Sequence, residues 1–150
     1  MFRGNHPAKI DDKGRLKLPS AFKQLADAAE VKEFYVTSIE GDFAQIWPLP
    51  EWQKREDRLA ESSEFEEAAR KYLARTSYWG QQVELDVQAR IVLPQLLRKS
   101  ASLDDVEVTV IGMRDHIEVH NRQKFEAAMQ AEQFTADDRR TMAELLRKKA

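Results

Sequence analysis

The chain has no cysteine, and that one absence removes disulfide frameworks, thiolate zinc sites, iron–sulfur clusters and cysteine nucleophiles together. Glycine is scarce too: the five glycines among 150 residues form neither a GxGxxG nor a P-loop, so nucleotide-binding signatures are missing. No apolar run approaches the roughly 20 residues that span a bilayer. The stretch from Met1 to Ile10 lacks the apolar core of a secretory leader, which predicts a cytoplasmic chain with no membrane anchor. There is no Gly/Ser-rich or Pro-rich linker, so any two halves are expected to pack together rather than swing on a tether. Charge of one sign is also not in excess: 24 Lys and Arg stand against 26 Asp and Glu, a net −2, and bulk electrostatics give no leaning toward nucleic acid. What remains, 42% hydrophobic and 33% charged, suits one ordinary folded domain or two small intertwined halves and excludes a large multidomain enzyme.

The charge is unevenly placed. In the first 23 residues Arg3, Lys9, Lys13, Arg15, Lys17 and Lys23 face only Asp11 and Asp12, so this segment carries +4 and the remainder −6. The same segment opens a repeat: Ile10-Asp11-Asp12-Lys13-Gly14-Arg15-Leu16-Lys17-Leu18-Pro19 returns 75 positions later as Leu85-Asp86-Val87-Gln88-Ala89-Arg90-Ile91-Val92-Leu93-Pro94. Both copies read apolar-Asp-x-x-small-Arg-apolar-x-Leu-Pro. After each Pro a short helix is predicted, Ser20 to Ala28 and Gln95 to Ala101, because Pro is tolerated at a first helical turn. Two strands then follow in each half: Phe34 to Ile39 with Phe43 to Trp47, and Val106 to Ile111 with His116 to His120. Each pair leads into a helix, near Glu51-Trp52 and near Gln123-Lys124-Phe125. Between the halves, Leu59, Phe65, Ala69, Tyr72 and Leu73 recur at near-helical spacing across Arg55 to Thr76, with a break at Ser62-Ser63. Thr135 followed by Asp137 and Asp138 reads as a helix N-cap, and Met142, Leu145 and Leu146 give the tail helix an apolar stripe up to Arg147-Lys148-Lys149. That stripe is expected to pack on a neighbouring element or on another subunit.

Asp11 to Gly14, between strands Ala8 to Asp11 and Arg15 to Leu18, has the composition of a tight hairpin in which Gly14 supplies a positive φ. Along the second strand Arg15 and Lys17 share one face and Leu16 and Leu18 the other. A two-stranded ribbon with cations on one face fits the DNA major groove, where Arg bonds bidentately to guanine and Lys to phosphate or base acceptors. Asp11 either orients Arg15 or closes the turn by accepting backbone N–H groups.

These residues resemble a known family. Met1-Phe2-Arg3-Gly4, Asp11-x-Lys13-Gly14-Arg15 followed by Leu-x-Leu-Pro, Trp47-Pro48-Leu49-x-x-Trp52, and Asp86-x-x-x-Arg90 with its own Leu-Pro are similar to the MraZ family of bacterial transcriptional regulators, from Met1 to about residue 130. The resemblance implies an α+β, mostly β fold: a tandem pair of pseudo-symmetric AbrB-like swapped-hairpin β-barrel halves with short helices, plus a C-terminal helix. It divides the chain into a first repeat (1–52), a helical connector (53–78), a second repeat (79–122) and C-terminal helices (123–150). It further implies a sequence-specific regulator of the division and cell-wall gene cluster, bound at the nucleoid to direct repeats in double-stranded DNA as a ring-shaped homo-oligomer. Carried over, the DNA-contacting candidates are Lys13 and Arg15, with Arg3 as a phosphate contact and Arg90 from the second motif; Asp11, Gly14 and Asp86 are structural. The second motif departs from the family pattern, with Ala89 where Gly is usual and Gln88 where the first repeat is basic. A non-Gly residue at positive φ costs about 1 kcal/mol, so the second turn either differs in shape or carries that strain. The first repeat is therefore expected to carry most of the DNA contact.

Other signals point less far. His116 and His120 lie on one face of a strand with Glu118, without the spacing of a metal site. Asp11 and Asp12 lack a nucleophile or oxyanion loop beside them. Trp47, Trp52, Phe43 and Phe125 are expected in the core. The sequence thus implies no enzyme, no cofactor and no metal. The competing reading is an oligomeric interaction module whose basic hairpin docks on an acidic protein partner, consistent with the acidic remainder of the chain.

Overall fold

A computed structural model of the chain describes residues 1–62 and 66–148. Where the side chains alternate in burial, the chain extends: β1 (Asn5–Lys9) and β2 (Arg15–Lys17) flank the first turn, and Leu16 of β2 is fully buried between half-exposed Arg15 and exposed Lys17. Pro19 then caps α1 (Ser20–Ala28), which buries Phe22 and Ala26. The antiparallel pair β3 (Glu33–Thr37) and β4 (Ala44–Pro48) follows, and then α2 (Leu49–Ser62) and α3 (Glu67–Tyr78). The second half repeats the order: β5 (Gln81–Glu84), β6 (Arg90–Val92), α4 (Gln95–Ser100) after Pro94, β7 (Glu107–Gly112), β8 (Ile117–Asn121), α5 (Arg122–Ala131) and α6 (Ala136–Arg147). The fold is α+β with antiparallel sheets and a C-terminal helix, as the sequence predicts. Strand β5 has no signal of its own beyond its position in the repeat. Ser63 and Phe65 of the expected helix break and connector stripe, and Lys149 of the basic end, lie outside the described residues.

The pairing corrects the simple hairpin. β1 and β2 do not form a ribbon with each other. β1 crosses to the second half and pairs with β7, β5 crosses to the first half and pairs with β3, and the two-stranded sheet is made of β2 and β6, one from each half. The six-stranded sheet runs β1-β7-β8-β4-β3-β5, an order that reads the same when the halves are exchanged. A pseudo-twofold axis therefore passes between Leu16 and Ile91, directly paired and both fully buried, and between β4 and β8. The exchange follows from length: a three-residue strand such as β2 buries little alone, and pairing with its copy puts Leu16, Leu18, Ile91 and Leu93 into one shared core with Phe22, Phe34 and Leu97.

Trp47 and Trp52 are buried as expected. Phe43 and Phe125 are only half-buried, because they stack on His120, at 4.3 and 4.6 Å between ring centres, on the sheet face turned away from the core.

Candidate nucleic-acid interface

Each turn of the repeat is built by its aspartate. Asp11 Oδ1 accepts the backbone N–H of Lys13 at 3.0 Å and of Arg15 at 2.8 Å, while Oδ2 accepts Arg15 Nε at 2.7 Å. Asp86 does the same for Gln88 at 2.8 Å, Arg90 at 2.9 Å and Arg90 Nε at 2.8 Å. The aspartate thus closes the turn and orients the arginine at once. The N–H of Arg15 is the largest influence holding the Asp11 carboxyl below its usual range; at Asp86 partial desolvation opposes the shift, and the bonds from Arg90 and Gln88 overcome it. Both carboxylates stay charged and keep the arginine Nε engaged. The Nη atoms of both arginines have no partner among the described residues, so each guanidinium offers its outer edge to an acceptor.

The second turn has the shape of the first. Gly14 sits at φ 78° and Ala89 at φ 60°, with matching Asp11 and Asp86 carbonyl acceptors at 3.0 Å. The strain foreseen at Ala89 is therefore carried rather than avoided. Cross-bonds from Leu18 N–H to Ala89 C=O at 2.8 Å and from Leu93 N–H to Gly14 C=O at 2.9 Å tie each turn to the opposite strand.

The consequence is one ribbon face drawn from both repeats. Leu16 and Ile91 point inward; Arg15, Lys17, Arg90 and Val92 point outward, with Lys17 directly opposite Arg90 and Arg15 opposite Val92. Lys13, exposed at the first turn, adds a fourth cation; the matching positions of the second turn are the fully exposed Val87 and exposed Gln88. Lys13 and Lys17 make no ion pair among the described residues. Like charges directly opposite on a sheet repel, so Lys17 beside Arg90 is an arrangement that an anion relieves.

The structure thus brings Arg15, Lys13 and Arg90 together with Asp11, Gly14 and Asp86. It sets Arg3 apart: Arg3 is exposed beyond the other end of β1, next to the Phe2–Arg114 bridge, with the whole strand, about 17 Å long, between it and the turn. Lys17, which alternation alone puts on the face of Arg15, gains Arg90 as its opposite neighbour only through the strand exchange. One member was not legible. Arg98 lies against Gly14, where an added Cβ would fall 2.7 Å from its guanidinium, and it is fixed there by Leu93 C=O at 2.9 Å and Asp104 at 2.7 Å; its repeat counterpart Lys23 pairs with Asp27 instead, so the repeat gives no hint of it.

On the far side of the six-stranded sheet, Trp47 stacks on His116 at 4.2 Å, and Glu118 accepts from His120 at 2.9 Å and faces His116 at 3.5 Å. Among the described residues no group of three or more His, Asp or Glu side chains is placed to hold a metal, and no helix is long and apolar enough to cross a membrane.

Comparison with known proteins shows the family. The family model described as "MraZ protein, putative antitoxin-like" matches residues 1–75 and 80–145. The chain is 45% identical over 144 residues to the transcriptional regulator MraZ of Acidobacterium capsulatum, covering 96% of this chain and 98% of that protein. It is 40% identical over 146 residues to that of Koribacter versatilis, covering 97% and 99%. The Deinococcus radiodurans protein of the same name is 35% identical over 131 residues, covering 87% and 88%.

Proposed function

The chain belongs to the MraZ family, and on that premise we propose that it is a non-enzymatic, sequence-specific transcriptional regulator that binds double-stranded DNA through the β2–β6 ribbon. The relatives are named transcriptional regulators, which supports the role. The observation that carries it is the outward face of the ribbon, where both repeats contribute an aspartate-locked arginine and Lys17 stands opposite Arg90. Arg15 and Arg90 read base edges, Lys13 and Lys17 hold phosphate, and Arg3 touches the backbone only where the duplex runs past the ribbon. The targets are direct repeats upstream of the division and cell-wall gene cluster. The protein meets them in the cytoplasm, at the nucleoid, as a ring-shaped homo-oligomer, and repeats 1–52 and 79–122 act as the two arms of one reading head.

Fluorescence anisotropy with a duplex from upstream of its own gene, beside a shuffled duplex, tests this. Arg15→Ala is expected to lower affinity and discrimination together, by about 1–3 kcal/mol on the operator, whereas Arg3→Ala weakens both duplexes alike. Equal loss on both duplexes from Arg15→Ala rules out base readout there. Binding indifferent to DNA sequence and salt favours the protein-docking reading of the ribbon.

A further inference from the structure

The two turns of the ribbon have one backbone and two chemistries. Each is locked by its aspartate in the same way, the N–H of Lys13 donating to Asp11 at 3.0 Å and that of Gln88 to Asp86 at 2.8 Å, and each closes with a residue at positive φ, Gly14 and Ala89. The pseudo-twofold axis therefore carries the place of Lys13 onto that of Gln88 and the place of Asp12 onto that of Val87. Outside the shared Asp–Arg pairs, every charged position of the first copy is uncharged in the second: Asp12, Lys13 and Lys17 become Val87, Gln88 and Val92.

Phosphate gives these three side chains no reason to face outward. A neutral amide releases no counterions from DNA, and a valine offers phosphate nothing. Yet Val87 is fully exposed, more so than any other large apolar side chain among the described residues, and Val92 is 42% exposed on the outward face opposite Arg15. Gln88 is exposed too, and its side-chain amide has no partner among the described residues. Base edges suit all three. The Gln amide sets an acceptor beside a donor, which matches the N6–H donor and N7 acceptor of adenine; guanine presents two acceptors, O6 and N7, and leaves the amide oxygen facing one of them. Valine methyls pack on the C5 methyl of thymine. By holding Ala89 in the left-handed region, the chain keeps the second turn in the shape that glycine gives the first, so these side chains stand at the tip of the ribbon.

We propose that the second turn is a base-reading arm for A·T pairs, in which Gln88 bonds an adenine in the major groove and Val87 packs on the methyl of a thymine beside it, while the cationic first turn supplies the hold on phosphate. The first half then gives most of the affinity, and the second adds an A·T preference that Arg15 and Arg90 do not provide. A guanine in place of that adenine is expected to weaken binding about 5- to 150-fold, the worth of one bidentate base contact. This assignment deepens the DNA-binding reading of the ribbon and rests on it.

Selection of duplexes from a random pool by the full-length protein, followed by anisotropy on the enriched sequence, tests it. That sequence is expected to hold an adenine whose replacement by guanine costs the unaltered protein this factor and costs Gln88→Ala nothing. Gln88→Lys is expected to move the preference at the same position to guanine, a gain that a folding defect does not produce. Deoxyuridine in place of the neighbouring thymine removes only the methyl: it is expected to weaken binding by the unaltered protein and to leave Val87→Ala where it stands on thymine. Gln88→Ala and Gln88→Lys variants that enrich the same sequence as the unaltered protein overturn the assignment of Gln88, and indifference of the unaltered protein to the methyl overturns that of Val87; in both cases DNA binding by the ribbon stands. An unaltered protein that enriches no sequence overturns the regulator reading and this assignment with it.

Discussion

At position 89 an alanine adopts φ 60°, where its counterpart Gly14 sits at φ 78° without penalty. The left-handed region crowds an L side chain against the backbone by about 1–2 kcal/mol, and glycine returns part of that gain through its more mobile unfolded chain. Ala89→Gly is therefore expected to stabilise the protein by about 1 kcal/mol, a rise of roughly 2–4 °C in Tm for a chain of this size. Calorimetry checks it, and an unchanged or lower Tm would show that the turn is relaxed as it stands. The reverse change, Gly14→Ala, meets the same strain and also the Arg98 guanidinium, so its cost exceeds the gain at 89. The roles of Asp11 and Asp86 could be read from the sequence, because an Asx turn is local chemistry between residues two and four apart. The position of Arg98 could not, since it comes from an element packed across the fold.

The element that departs most from its counterpart is β8. On β4 the outward face carries Gln45 and Trp47, whose Nε1 donates to Gln45 at 2.9 Å. On β8 the same places hold Glu118 and His120, and His116 stands where the first half has Phe43. An apolar and amide row has thus become a titrating one. Burial pushes the His116 pKa down, but the bonds to Glu118 and Asp115 prevail and hold it above the ordinary 6.5. Burial likewise opposes ionisation of Glu118, and His116 and His120 draw its pKa from 4.5 to about 2. A raised histidine pKa gives stability that is full below pH 6.5 and fades as pH rises through the folded value; the depressed Glu118 gives stability that is full above pH 4.5 and fades toward pH 2. His116→Phe, which copies Phe43, is expected to flatten the alkaline fall of Tm between pH 6 and 9 relative to the unaltered protein. Parallel thermal melts across that range decide it, and equal slopes would show that His116 gains nothing from its carboxylates. The shared face of His116, Glu118 and His120 followed from period-2 alternation alone, whereas their stacking on Trp47 and Phe43 depends on β4 pairing with β8, which no local pattern encodes.

At the scale of the whole molecule, fusing two repeats into one chain frees them to diverge. Two identical subunits around a true twofold present identical arms and so match a palindrome. Here the pseudo-twofold keeps the ribbon and both Asp–Arg locks, but one turn presents Asp12-Lys13-Gly14 and the other Val87-Gln88-Ala89. Lys favours phosphate or guanine, Gln pairs with adenine, and an exposed Val87 suits a thymine methyl, so the proposed reading head would have a direction. The strand exchange that joins these turns was visible only through family resemblance, because β2 and β6 are 75 residues apart and each is too short to show a partner. In the proposed ring, a directional head would meet every target in the same sense, an arrangement that suits direct repeats rather than inverted ones. With a net charge of −2, one chain is expected to bind DNA weakly, and the linked copies of the proposed ring would supply the affinity. A duplex with two direct repeats is therefore expected to bind about 10²- to 10⁴-fold more tightly than one with a single repeat. Inverting one of the two repeats at the same spacing returns the affinity to the single-repeat value. The salt dependence steepens with the second repeat, by roughly 0.9 in log K per added phosphate contact. Anisotropy on the three duplexes across a salt series makes the comparison, and an inverted pair bound as tightly as the direct pair would show that the two turns read DNA as equivalents despite their different side chains.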